Sequence, residues 1–433
     1  MSILEQINSA GQAAQLRASR ARSRALTQDL CGEQLFGPRL PVVNPVLWEL
    51  GHIAWFQERW CLRRRDDGSL ATPVLSGADA LYDSAAIAHD LRWDLPLPTL
   101  EATLAYQDLV LDLVLARLQR ESDNPSLVYF VQLAVFHEDM HAEAFHYMRQ
   151  TLAYAVPQLP LPDADRAAGA SAESGGDASI PGGRYLLGAG GEPGFVFDNE
   201  KWAHPVEVRP FHIARCAVSN AQYAGFVEKR GYRRREFWSE AGWRWLQQSG
   251  AQAPLYWRKQ DGLWQQRRFD AWAPLSLSEP VMHVNWHEAQ AYCRYAGRRL
   301  PSEAEWEMAA SCADTPAKRR YPWGDAPPDT RRANLEGNAP VAVDALPAGA
   351  SAHGCRQLIG NVWEWTDTAF GPYPGFEPDP YKEYSQPWFG THKVLRGGSF
   401  ATPARLIRNT WRNFYTPERC DIFAGFRTCA LET

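Results

Sequence analysis

SLVYFVQLAVFHEDMHAEAFHYMRQTLAYA, residues 126–155, is the stretch that decides how the first part of this chain folds. Its apolar residues recur at helical spacing, so we expect one long helix with a buried face. His137 and His141 lie four residues apart, which places both imidazoles on one side of that helix. A helix of this kind can offer two nitrogen ligands to a single metal ion.

The segment His137-Glu138-Asp139-Met140-His141 also matches the zinc-protease pattern H-E-x-x-H, in which the glutamate is the general base. A zinc protease needs a third ligand farther along the chain. Glu143 follows too closely for that role, and Ala144 and Tyr147 stand where the extended pattern has glycine and histidine. The sequence therefore disfavours a protease.

A better third ligand lies upstream, in LWELGHIAWFQERW at residues 47–60, where His52 has apolar neighbours. A lone histidine in such a helix is more often a core residue, but a histidine pair on another helix of the same bundle favours a ligand. We therefore predict a three-nitrogen site of His52, His137 and His141. The residues leave zinc and non-haem iron(II) both open. Glu143 points away from this face, and we interpret it as a supporting residue.

Helical periodicity and composition divide the chain into three parts, as expected for a two-domain α+β protein. Residues 1–160 are expected to form a four-helix bundle, a scaffold that often builds metal sites from inward-facing side chains. Residues 161–180 are small, polar and glycine-rich and are expected to be a linker. Residues 181–433 alternate short apolar runs with Gly, Pro and Trp, with clear helices only near 286–296 and 302–312. The predicted helices of the bundle cover 4–26, 45–62, 100–120 and 126–155.

The overall composition excludes several classes of protein. A net charge of −5, with 22% charged residues, disfavours binding to nucleic acid. The chain has no run of about 18 apolar residues, so no membrane span is expected. The eight cysteines include no C-x-x-C pair, and the amphipathic N-terminus lacks the apolar core of a signal peptide. We therefore expect a cytoplasmic protein with reduced thiols.

The second half contains motifs in a fixed order: PGGRYLLGA, VSNAQYAGFV, PVMHVNWHEAQAYCRYAGRRLPSEAEWEMAA, YPWGD, GNVWEWT, VLRGGSF and AGFR. This order resembles the formylglycine-generating-enzyme-like fold, which is related to C-type lectin domains, over nearly all of 181–430. Formylglycine-generating enzymes carry reactive cysteines shortly after the GGSF segment. Residues 399–409, SFATPARLIRN, contain none, so that activity is disfavoured.

A helical bundle with the pattern H-x-x-x-H-x-E placed before this fold is similar to the ergothioneine and ovothiol sulfoxide synthases. Members of that family are non-haem iron enzymes with a DinB-like bundle, and they use O2 to join sulfur to the imidazole of a histidine derivative. The resemblance spans the whole chain. It implies Fe(II) as the cofactor, O2 as a co-substrate, and His52, His137 and His141 as the iron ligands.

The family's catalytic tyrosine lies in a loop after the WEWT motif. The corresponding segment here is PYKEYSQPWF, residues 380–389, which puts Tyr381 at the catalytic position and Tyr384 at a neighbouring position that contacts substrate. A phenol can supply a proton or a hydrogen atom at neutral pH. Without the resemblance, both tyrosines would be interpreted as packing residues of an aromatic-rich loop.

The same resemblance locates residues that bind the donor of the sulfur atom. In the ergothioneine branch, an Asp and an Arg grip the amino-acid ends of γ-glutamylcysteine. Here Asn413 and Arg419 match the family pattern, Phe414 replaces a Trp, and Tyr415 replaces the Asp. Losing such a charge-assisted hydrogen bond typically costs about 1.5–3 kcal/mol. We therefore expect γ-glutamylcysteine to bind poorly.

Two further departures point to a different donor. Arg92 is the only arginine in residues 81–98, where the ergothioneine branch has several for the donor's carboxylates. Met140 stands between the histidines in place of a Gln that lies near the imidazole substrate. A less cationic, aromatic pocket suits a sugar, and the stretch 81–98 resembles the selenoneine synthase branch.

The expected function is Fe(II)- and O2-dependent formation of a C–Se bond between the imidazole of hercynine (Nα-trimethylhistidine) and a selenosugar. Asn413 and nearby aromatic residues would hold the charged end of hercynine, since aromatic faces attract a quaternary ammonium group. A thiol transferase that holds zinc, as in other DinB-like bundles, is one alternative, and two more remain open. One is a C–S bond formed with cysteine or another thiol, and the other is a lectin-like protein that binds a ligand without catalysis.

Overall fold

The computed structural model describes residues 9–65, 67–160, 175–191, 194–312 and 318–431. These residues form two compact units, the first running to Leu152 and the second comprising most of the rest of the chain. The expected α+β architecture is confirmed, because the first unit is helical and the second mixes helices with small sheets. No helix in the described part of the chain is long and apolar enough to cross a membrane.

Within the described residues, five α-helices build the first unit: α1 Ser9–Ala25, α2 Val46–Glu58, α3 Ala78–Tyr82, α4 Leu100–Arg120 and α5 Pro125–Thr151. The four longer helices are those predicted from periodicity. α5 begins where the Asn124 side chain accepts hydrogen bonds from the amides of the next turn and Pro125 takes the first helical position. α2 is buried along its whole length and packs against both α4 and α5.

A buried ion pair ties the long helices together. Arg20 on α1 donates to the Glu138 carboxylate on α5 at 2.8 Å, to the Gln57 amide oxygen on α2 at 2.9 Å, and to the Gln107 carbonyl on α4 at 2.6 Å. Breaking such a buried pair typically costs about 3–5 kcal/mol, because one charge is left uncompensated. Glu138 therefore has a structural role, which agrees with the sequence-based argument against a protease.

The second unit contains four α-helices among its described residues: α6 Asn220–Glu228, α7 Glu240–Ser249, α8 Trp286–Ala296 and α9 Glu303–Ser311. α8 and α9 were expected. α6 and α7 were not, although Ser219 and Ser239 each cap a helix by accepting a hydrogen bond from an amide of the first turn. These two capping serines were the readable signal for both helices.

The strands of the second unit are short: β1 Asp177–Ile180, β2 Gly183–Leu187, β3 His204–Val208, β4 Phe211–Ala214, β5 Trp257–Gln260, β6 Leu263–Arg268, β7 Ala271–Pro274, β8 Arg298–Arg299, β9 Trp363–Ala369, β10 Lys393–Arg396, β11 Asn413–Tyr415, β12 Ala424–Gly425 and β13 Cys429–Ala430. One sheet has the order β1-β4-β13-β8 and another β11-β10-β9-β12, while β2-β3 and β5-β6-β7 form smaller antiparallel sheets. The segment that connects β9 to β10 carries Tyr381 and Tyr384.

The predicted linker, residues 161–180, needs one correction. Residues 161–174 lie outside the described part of the chain. Asp177–Ile180, at the end of the predicted linker, forms β1 and pairs antiparallel with Phe211–Ala214. Ala178 and Ile180 are buried while Ser179 is exposed, so even this short polar stretch has the alternation of a half-buried strand.

Candidate metal centre

Three histidines of the first unit converge on one point. The ligand atoms of His52 on α2 and of His137 and His141 on α5 all lie within 4.8 Å of one another. The Nε2 atoms of His137 and His141 are 3.3 Å apart. His52 and His137 are buried, and His141 is partly buried. The structure thus brings together the three residues that the sequence analysis singled out as metal ligands.

His52 is held in a defined orientation. Its Nδ1 lies 2.8 Å from the carbonyl oxygen of Tyr82, and its ring stacks on Trp48 with centroids 4.8 Å apart. A carbonyl can only accept, so Nδ1 carries the proton and Nε2 keeps its lone pair. Burial lowers the pKa of His52 to about 3. The ring is therefore neutral at pH 7, which is the form that binds metals.

His137 is also held as a neutral ring. It stacks face to face on Phe56 of α2, with centroids 3.5 Å apart and the planes 3° from parallel. Burial, with His141 and His52 close by, holds the pKa of His137 well below its usual value. Protonation would place a charge on a buried ring, so the ring stays neutral. Its lone pair therefore stays available to a metal ion.

Glu49 is a candidate functional residue that the sequence analysis missed. Its carboxylate lies in contact with His141 Nδ1 and accepts a hydrogen bond from the Asn44 amide at 2.5 Å. Burial by itself would raise the pKa of Glu49, but His141, His52 and Asn44 together hold it at about 2. A carboxylate behind a metal-binding histidine fixes the ring and raises its basicity. The signal in the sequence was the spacing Glu49-x-x-His52, which places both side chains on one face of α2.

We expect Glu49→Gln to weaken binding of the Fe(II) that the family resemblance implies about 10-fold or more, because outer carboxylates that support metal-binding histidines typically contribute 10- to 100-fold in affinity. Fe(II) affinity can be measured by anaerobic competition with a chromogenic chelator. Glu58→Gln is a matched control, because Glu58 is a buried carboxylate of the same helix that accepts from Val74 and Tyr106 instead. Equal affinities of Glu49→Gln and wild-type protein would remove Glu49 from the metal centre.

Arg92 is linked to Glu49 through the side chain of Asn44. Its guanidinium donates to the Asn44 side chain at 2.8 Å and to the carbonyls of Ser84 and Ile87 at 3.3 and 3.4 Å. It also lies over the Trp48 ring, 4.1 Å from the centroid. Most of its hydrogen-bonding capacity is thus used within the protein. Contact of Arg92 with a substrate stays a prediction.

Met140 and Glu143 occupy α5 next to the histidines. Met140 is partly buried, and Glu143 is buried. Glu143 does not belong to the group of potential metal ligands found among the described residues, and its supporting role stays a prediction.

The predicted catalytic loop lies in the second unit and has an aromatic surface. The rings of Tyr381 and Tyr384 are 6.3 Å apart, and Tyr384 meets Phe414 of β11 edge-on at 5.8 Å. Tyr384 also stacks on Phe197 at 4.5 Å. Burial raises the pKa of Tyr384 far above its usual value, so this hydroxyl remains protonated. Tyr384 is thus a neighbour of both Tyr381 and Phe414, and contact of these residues with substrate stays a prediction.

The remaining predicted donor-site residues lie on and just after β11. The Asn413 side-chain oxygen accepts from the Phe414 amide at 2.8 Å. Arg419 lies over the Tyr415 ring, 4.9 Å from the centroid, and forms two hydrogen bonds with Asp421 at 2.6 and 2.8 Å. Asp421 was missed by the sequence analysis, although its position two residues after Arg419 was a readable signal.

Comparison with known proteins agrees with this organisation. Residues 15–145 match the DinB superfamily, and residues 165–431 match the sulfatase-modifying factor enzyme 1-like domain. The chain thus joins a DinB-type helical bundle to a sulfatase-modifying-factor domain. It is 39% identical over 403 residues to the hercynine oxygenase of Mycolicibacterium thermoresistibile, covering 89% of this chain and 87% of that relative.

The hercynine oxygenase of Mycobacterium tuberculosis is 39% identical over 426 residues, covering 94% of this chain and 96% of that relative. The chain belongs to the hercynine oxygenase family and is an enzyme of the oxidoreductase class. The formylglycine-generating enzyme of Streptomyces coelicolor is 34% identical over 292 residues, covering 59% of this chain and 88% of that relative. This partial coverage fits a domain shared between enzymes of different activity.

Proposed function

We propose that this enzyme uses iron(II) and O2 to form a C–Se bond between the imidazole of hercynine and a selenosugar. The observation that carries the proposal is the cluster of three imidazoles in a chain of the hercynine oxygenase family. Two of these rings are braced at Nδ1, His52 by a carbonyl and His141 by a carboxylate. This bracing leaves Nε2 of each ring for a metal ion.

The donor set fits iron(II). Two nitrogens bound to one ion at about 2.1 Å lie no more than about 4.2 Å apart, so the observed separation of at most 4.8 Å needs only small side-chain adjustments. Three imidazoles on one side of an ion leave coordination positions for other ligands, an arrangement that suits non-haem iron(II). When bound, iron(II) would supply the oxidative, O2-dependent chemistry.

The residues of the second unit would bind and orient substrate. Tyr381 is proposed to give a proton or hydrogen atom through its phenol, a step that typically contributes about 10²–10⁴-fold to the rate. Asn413, Phe414 and Tyr384 would hold the carboxylate and trimethylammonium end of hercynine. An aromatic face and an amide suit that group, because its cation is bulky and has no N–H to donate.

The choice of a neutral donor is supported by the state of Arg419. Asp421 pairs with this guanidinium through two hydrogen bonds, and Tyr415 covers it. A donor carboxylate would meet a guanidinium whose charge is already paired with Asp421, a buried acid of the protein. A sugar has no carboxylate to pair. The pairing of Arg419 with Asp421 thus supports an uncharged polyol as the donor, rather than an amino acid or dipeptide.

The proposal is tested by competition between donors. Enzyme loaded with Fe(II) receives O2, hercynine and equal concentrations of a selenosugar, cysteine and γ-glutamylcysteine, and the products are identified by mass. We expect the selenium-containing product to dominate. A preference for cysteine would favour the C–S alternative, and a clear preference for γ-glutamylcysteine would contradict the donor argument.

We expect Asp421→Asn to lower the KM for γ-glutamylcysteine about 10-fold or more, because a charge-assisted hydrogen bond contributes about 1.5–3 kcal/mol. The substitution keeps the size of the side chain but leaves Arg419 able to pair with a donor carboxylate. The KM for the selenosugar should change little. Asp329→Asn is the matched control, since Asp329 pairs with Arg332 elsewhere in the same unit. An unchanged KM for γ-glutamylcysteine would show that Arg419 does not select the donor.

A further inference from the structure

The loop 379–385, which carries Tyr381 and Tyr384, is held at both ends by one short segment, residues 197–201. Asp198 of this segment is 2% exposed and accepts hydrogen bonds from both ends of the loop. One carboxylate oxygen accepts from the Ser385 hydroxyl, and the other accepts from the Asp379 backbone amide at 3.3 Å. A single buried carboxylate thus joins the two ends of a seven-residue loop.

Neighbouring residues of the same segment add three further contacts. Lys201 Nζ donates to both carboxylate oxygens of Asp379, at 2.6 and 2.8 Å. The Asn199 amide donates to the Ser385 hydroxyl at 3.0 Å. The Phe197 ring stacks on the Tyr384 ring, with centroids 4.5 Å apart. The start of the loop, at Asp379, and its end, at Tyr384 and Ser385, therefore rest on 197–201.

The supporting segment is itself firmly fixed in the core. Glu200 is fully buried, pairs with Arg408, and accepts from the Thr410 hydroxyl at 2.7 Å. The Asn199 carbonyl accepts from Arg412 at 2.8 Å, and Arg412 also pairs with buried Glu303 at 2.9 Å. Because these partners are charged and desolvated, displacing the segment would expose several uncompensated groups at once.

We propose that Asp198 is a positioning residue that holds the catalytic loop so that the Tyr381 phenol stays in its productive place. This inference rests on the proposed function, which gives Tyr381 its role. Asp198 bonds to Asp379 and to Ser385, so it acts through the chain on either side of Tyr381. Its contribution follows from geometry, since a displacement of about 1 Å of a reacting group can cost about 100-fold in rate.

The test compares Asp198→Asn and Ser385→Ala with wild-type enzyme. Asp198→Asn keeps an acceptor for Ser385 but turns an amide group toward the Asp379 N–H, so this end of the loop loses one of its anchors and keeps the Lys201 ion pair. We expect faster hydrogen exchange of the amides in 379–385, a 10- to 100-fold lower kcat, and unchanged iron content. Ser385→Thr, which retains the hydroxyl, should restore much of the lost kcat. Ser351→Ala is the matched control, because that buried hydroxyl accepts from Cys355 outside the loop.

A second comparison separates positioning from general damage. If Asp198 acts through the phenol, Asp198→Asn should add little to the loss already caused by Tyr381→Phe. An equal further loss of kcat in the Tyr381→Phe background would overturn the inference. So would unchanged exchange in 379–385, a measurement that needs no turnover and stands whether or not the proposed function holds. A wild-type enzyme inactive on hercynine would instead overturn the proposed function.

Discussion

Replacing His52 with alanine should abolish both iron binding and turnover of hercynine. Only two imidazoles would remain, and we expect Fe(II) affinity to fall by more than about 100-fold, since even the loss of an outer supporting partner can cost that much. Iron content after anaerobic loading, measured together with hercynine consumption, checks this result. His146→Gln is the control, because His146 is a buried histidine of α5 whose ring bonds to the Ala142 carbonyl at 3.2 Å.

The opposite result would change the class of the protein. If His52→Ala retained iron and activity, the metal would have to be bound elsewhere. If neither wild-type protein nor His52→Ala held iron, yet both bound hercynine, a lectin-like binding protein would be favoured. Zinc in place of iron in the active wild-type protein would contradict the O2-dependent mechanism.

Tyr381→Phe should lower kcat by about 10²–10⁴-fold, the range typical of a lost proton donor. The variant should bind iron as well as the wild type does, because Tyr381 is not a proposed ligand and is remote in sequence from all three of them. Single-turnover rates with saturating hercynine measure the effect on the chemical step. Tyr373→Phe is a matched control, since it removes another tyrosine hydroxyl of the same unit, one that has no hydrogen-bond partner among the described residues.

A Tyr381→Phe variant with wild-type kcat would remove the phenol from the mechanism and leave Tyr381 as a packing residue. A variant that lost activity together with iron or folded structure would also count against the proposed role. Circular dichroism and iron analysis of the same preparation distinguish these outcomes from a specific loss of catalysis.

The long helices and the histidine cluster were predictable because the relevant patterns are periodic. A spacing of four residues places His137 and His141 on one face whatever else surrounds the helix. His52 needed more than periodicity, since the argument for it was a second helix of the same bundle. The donor atoms alone leave iron and zinc open, and the family resemblance is what implies iron.

The supporting contacts were not predictable in the same way, because they join residues far apart in sequence. Arg20 and Glu138 are separated by 118 residues, and Asp198 and Ser385 by 187. No local pattern marks such partners. Glu49 and Asp421 are different. Glu49 lies three residues before His52, and Asp421 lies two residues after Arg419, so both could have been found from spacing. The strand at Asp177–Ile180 was missed because small residues seldom mark a buried strand.

The most direct test of the central claim is a single-turnover experiment with enzyme that holds a known amount of Fe(II). The enzyme is mixed anaerobically with hercynine and a selenosugar, then exposed to O2, and the product is identified by mass. We predict a product that contains both selenium and the hercynine imidazole, in an amount that follows the iron content and is absent without O2. If bound iron and O2 were present and hercynine stayed unchanged with each of the three donors (the selenosugar, cysteine and γ-glutamylcysteine), the proposed function would be wrong.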